Sequence, residues 1–159
     1  MTGKRLTVDR LSDGRSDTLI PPPAVVWIML LDGSADADLD AAYAHCVERL
    51  QSAVTTADGI DPDRKRAIER GALAELSIED AAAVLAVGRS DLTADAIHHE
   101  LLDRILIGMS TAVLDVDSLA RAVSIDRTGK ELQQRIEGRA PMTVAEYVEI
   151  RHAIEARIP

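Results

Sequence analysis

The chain has 159 residues, 47% of them hydrophobic, with Trp27, Tyr43 and Tyr147 as the aromatic side chains and no Phe. That supplies one ordinary core but too few aromatic and β-branched residues at period two for a sandwich or barrel. A net charge of −9, from 27 acids and 18 bases, argues against non-specific affinity for nucleic acid, and a single cysteine, Cys46, excludes an intramolecular disulfide.

Residues 1–23 are polar, lack a period and end in Pro21, Pro22 and Pro23. Residues 1–34 are expected to form a disordered N-terminal arm ahead of a helical domain at 35–159. The apolar run Ala24–Leu31 has eight residues, far short of the ~20 that span a bilayer. The prolines break any signal helix, so no signal peptide is expected. The arm differs so much from the rest that Met29 stands as an alternative start, which the intact mass of the native chain tests.

From Asp38 the pattern turns helical. Leu39, Tyr43, Cys46, Val47, Leu50 and Val54 recur at three- and four-residue intervals, with Asp38 or Asp40 as the cap and Gly59 as the end. Asp61 and Pro62 then open a short helix to Arg70, stopped by Gly71. Ser77, with Asp80 at the third helical position, opens a helix that ends at Gly88. Thr93 caps a longer one carrying Ile97, Leu101, Ile105 and Met109, with Leu102 and Leu106 beside them and Gly108 as a point of bending or interruption. Asp115 or Asp117 starts a short helix through Leu119 and Val123. Another covers Thr128 to Ile136 and stops at Gly138. The last starts with a capping box of Thr143 and Glu146, flanked by the staple pair Met142 and Tyr147.

Two stretches repeat. Gly59-Ile60-Asp61, Ile68-Glu69-Arg70-Gly71 and Leu76-Ser77-Ile78 parallel Ser124-Ile125-Asp126, Ile136-Glu137-Gly138-Arg139 and Met142-Thr143-Val144. The expected fold is therefore all-α: a compact helical bundle of two tandem helix-turn-helix-like halves, 35–88 and 89–159, around one pseudo-twofold core.

Leu119-Ala120-x-x-Val123-Ser124-Ile125-Asp126, followed by Ile136-Glu137-Gly138-Arg139 and Pro141, resembles the helix-turn-helix of the Cro/C1 phage-repressor family. The resemblance covers roughly residues 50–87 and 115–154. Ser124 stands where that family has its turn glycine, Gly129-Lys130 looks like an insertion, and Asp58 occupies a usually apolar position. Residues 39–156 are also similar to a small uncharacterised haloarchaeal family, through Met109-Ser110-Thr111-Ala112-Val113-Leu114-Asp115-Val116 and the Ile136–Tyr147 ending. An excess of Asp over Glu, 17 to 10, and of Arg over Lys, 15 to 3, suits a high-salt cytoplasm, and equally a GC-rich genome.

The phage-repressor resemblance implies DNA contact through the second helix of a half. In the second half the candidates are Lys130, Gln133, Gln134, Arg135 and Arg139; in the first, Arg64, Lys65, Arg66 and Arg70. Gln reads adenine and Arg reads guanine or holds phosphate. The competing expectation is a solvated face whose cations are balanced by Asp61, Asp63, Glu69, Glu131 and Glu137. Residues 110–159 hold seven bases and eight acids, so even the less acidic half is not basic.

His98 and His99 are adjacent and cannot form an i, i+4 metal pair; His45 with Cys46 meets the same objection. The alternating Asp32, Asp36, Asp38 and Asp40 have no bidentate Glu at calcium-loop distance. Without a phosphate loop or nucleophile elbow, the expected protein is non-enzymatic and without cofactor or small-molecule substrate. It is expected to be cytoplasmic and to bind another protein or itself as a dimer, without a membrane role. The alternative is a sequence-specific DNA-binding transcriptional regulator using the 128–139 helix.

Overall fold

In the computed structural model, residues 38–87 and 90–158 are described. The expectations for the arm at 1–34, the proline run, Met29, Asp32, Asp36 and the stop at Gly88 lie outside the described residues. Helix α1 spans Leu39–Thr56, and the Asp38 carboxylate accepts the Ala41 N–H at 2.8 Å, supplying one of the bonds a helix start lacks. Cys46, Leu50 and Val54 are buried together with Ala42 and Ala53, while Leu39, Tyr43 and Val47 pack half-buried at the edge.

Helix α2, Pro62–Glu69, is capped by Asp61, with proline at a position whose N–H has no helical partner anyway. It buries only Ala67 and Ile68. Gly71, at φ +70°, turns the chain out of it. A 3-10 turn at Leu73–Glu75, which the periodicity does not announce, leads to helix α3, Ile78–Ala86. Ser77 and Asp80 form both halves of its capping box.

Helix α4 runs Ala94–Ala112 from the Thr93 cap and buries Ile97, Leu101, Leu102, Ile105 and Met109. Two expectations for it need correction. Leu106 does not join the buried stripe but lies 47% exposed, beside a surface hollow it shares with Val113 and Asp115. Gly108 does not interrupt the helix; it is buried there because a neighbour needs the space. The helix ends on Val113 at φ 55°, a left-handed conformation costly for a β-branched residue.

Asp115 caps helix α5, Val116–Ala122. Helix α6, Gly129–Ile136, starts with a Thr128–Glu131 capping box and buries Leu132 and Ile136. Gly138, at φ +79°, ends it. Helix α7, Val144–Glu155, carries the Thr143–Glu146 capping box, and Met142 and Tyr147 are each 1% exposed, as a hydrophobic staple requires.

Helix α7 is the centre of the molecule. It packs on α1, α3, α4, α5 and the 3-10 turn, and its residues 146–151 are all buried. The two repeated stretches meet beside its first turn. The Ile78 N–H donates to the Met142 carbonyl at 2.9 Å, and the Val144 N–H donates to the Leu76 carbonyl at 2.8 Å, so Ser77 and Thr143 form an isolated antiparallel bridge. A reciprocal pair of this kind is what a local twofold produces. The spacing agrees: the cap at Asp61 precedes Gly71 by as much as the cap at Thr128 precedes Gly138. The protein is all-α, with helices on a shared core and no strand among the described residues. No helix of the described residues is long and apolar enough to cross a membrane.

Candidate functional site

The two short helices carry the cations singled out by the sequence, and each has a different set of neighbours. Helix α2 packs on α1 and the 3-10 turn; α6 packs on α5 and α4. On α2, the Arg64 Nε donates to Asp80 at 2.8 Å, Arg66 pairs with Asp63, and Arg70 pairs with Glu75 at 2.8 Å. These groups line a surface cleft of ≈530 Å³ that sets four carboxylates, Asp61, Asp63, Glu75 and Asp80, against three guanidinium groups. Such a cleft offers no net attraction for a phosphate. Lys65 points away, into the exposed surface near Thr55 and Glu69.

On α6, Arg135 departs from the expected exposed face. Its side chain is 13% exposed; it donates to the Glu131 carbonyl at 3.1 Å and lies 3.9 Å from Glu146. Buried Ile136 beside it and the carboxylate at the start of α7 draw it inward. Arg127 closes on the same carboxylate at 3.2 Å. Gln133 donates to Glu137 at 2.8 Å, and Arg139 pairs with Glu137 at 2.6 Å. Gln134 is half-buried, and Lys130 is exposed. The balancing acids are therefore partly those the sequence suggests (Asp63, Glu137) and partly ones from neighbouring elements (Asp80, Glu75, Glu146).

The halves use the same device. In each, an arginine of the short helix approaches the N3 carboxylate of the next capping box: Arg64 is hydrogen-bonded to Asp80 at 2.8 Å, while the buried Arg135 Nε stands 3.9 Å from Glu146, without a hydrogen bond. That carboxylate already accepts the N-cap N–H, at 3.0 Å from Ser77 and 2.9 Å from Thr143. Burial alone would raise the Asp80 carboxyl, but hydrogen bonds from Ser77 and Arg64 outweigh it and hold the group below the usual carboxylate range. Glu137 is held low by Gln133 and then Arg139, and Glu75 by Arg70.

Periodicity missed the buried charges of α7. Glu149 accepts the Ser124 N–H and, at 2.7 Å, the Ser124 hydroxyl, and faces the Tyr43 hydroxyl at 3.4 Å. Serine in place of the turn glycine was the one visible sign of this tie. Burial, then Glu149, raises the Tyr43 phenol. Arg151 donates to the Arg104 carbonyl at 3.1 Å and to Glu155 at 3.3 Å, and it lies over Gly108. A Cβ at Gly108 would stand 2.6 Å from the Arg151 Nη1 and 2.8 Å from Ile154. At Gly129 a Cβ would collide with the Asp117 carboxylate, which explains a glycine at a first helical position.

The other titratable candidates do not assemble. Among the described residues, no group of three His, Cys, Asp or Glu is placed to hold a metal ion. His98 and His99 stack on each other, with ring centroids 6.1 Å apart. Burial pushes the Cys46 thiol up to about 12, so it is not a nucleophile at neutral pH. The contrasting surface is at the C-terminal end of α4, where Leu106 and Ile107 on the helix and Val113 just past it are exposed large hydrophobic residues.

No curated protein and no solved structure matches the chain. One family model does, described as a family of unknown function (DUF5791). It matches residues 34–157, far more than half of the chain, and the protein therefore belongs to that family.

Proposed function

We propose that this is a non-enzymatic helical interaction or regulatory protein of the cytoplasm, acting by association with another protein or with itself. One contrast carries the proposal. The arginines of both short helices are paired with carboxylates of their own chain, whereas Leu106 and Ile107 on α4 and Val113 just past its end stand 47%, 64% and 88% exposed. Exposed apolar side chains gathered at one helix end mark association surfaces, and a self-paired acidic surface repels phosphate. On this view the two halves are Cro/C1-like helix-turn-helix units kept as scaffold, and the Asp- and Arg-rich surface reflects a haloarchaeal, high-salt cytoplasm.

Fluorescence polarisation with pooled genomic duplexes at about 50 mM salt tests it, a concentration at which phosphate contacts are strong. The expected result is no change with folded protein. The competing reading, a DNA-binding transcriptional regulator, draws on Lys130 and Gln133, which α6 presents to solvent just after α5. Binding with a steep salt slope, lost in Lys130→Ala with Gln133→Ala, would replace the association reading.

A further inference from the structure

We draw no further inference here: the strongest candidate, the apolar surface patch formed by Leu106 and Ile107 on α4 and Val113 just past its end, carries nothing further because nothing in the structure shows what covers it.

Discussion

Gly108 is where a single missing methyl group is most consequential. Adding a Cβ brings it within 2.6 Å of the Arg151 guanidinium and 2.8 Å of Ile154, and Arg151 is held by the Arg104 carbonyl behind it. Gly108→Ala is expected to destabilise the fold by about 1–3 kcal/mol, the usual cost of overpacking, despite alanine's better helix propensity. Urea denaturation measures it; an unchanged or raised midpoint would mean that α4 and α7 do not approach this closely. Cys46 gives a second expectation. With its thiol raised to about 12 and only 1% exposed, it is expected to resist a thiol reagent at pH 8 until the chain unfolds. Labelling as fast in native protein as in urea would contradict that. Glycine in mid-helix was readable as an exception, but the reason for it was not, because Arg151 lies far along the chain. Arg135 runs the other way: its place on the short helix predicts an exposed cation, and an acid on another helix turns it inward.

Helix starts show what local sequence does carry. Asp38, Asp61, Ser77, Thr93 and Thr143 all cap as their short polar side chains suggest, since the bonds they make reach only two or three residues. The 3-10 turn at Leu73–Glu75 and the exposure of Leu106 escaped because they depend on which neighbour covers which face. Asp80 joins a cap to an ion pair, and its folded pKa lies below the ordinary value. Its contribution is thus fully present above about pH 4, the unfolded value, and is lost as pH falls through the lower folded value. Asp80→Asn is expected to lower the melting midpoint at pH 7, and the gap to the parent should close as pH drops below about 4. A gap independent of pH would show that the charge at Asp80 is idle. At the other end of α4, Val113→Gly removes a left-handed β-branched residue. A gain of about 1 kcal/mol is expected, allowing for glycine's extra freedom in the unfolded chain. A loss in that variant would place the strain elsewhere.

At the scale of the whole molecule, the repeat legible at Ile68-Glu69-Arg70-Gly71 and Ile136-Glu137-Gly138-Arg139 has a physical counterpart in the Ser77–Thr143 bridge and in the matched arginine-to-cap pairs. Periodicity could not rank the helices, so the central place of α7, with Glu146, Glu149 and Arg151 buried in it, came only from packing. Each of those charges is tied to another element, which suits a rigid scaffold better than a surface that remodels around a ligand. The same self-pairing engages the short-helix arginines Arg64, Arg66 and Arg70 with carboxylates of their own chain, and only Arg135 is withdrawn from the surface. Arginine side-chain NMR tests this most directly, by following the Nε–H signals of a uniformly ¹⁵N-labelled chain during addition of duplex DNA. A resolved signal for Arg64, whose Nε donates to Asp80 at 2.8 Å, that stays in place throughout is the predicted result. An averaged, fast-exchanging signal that moves as duplex is added would contradict it.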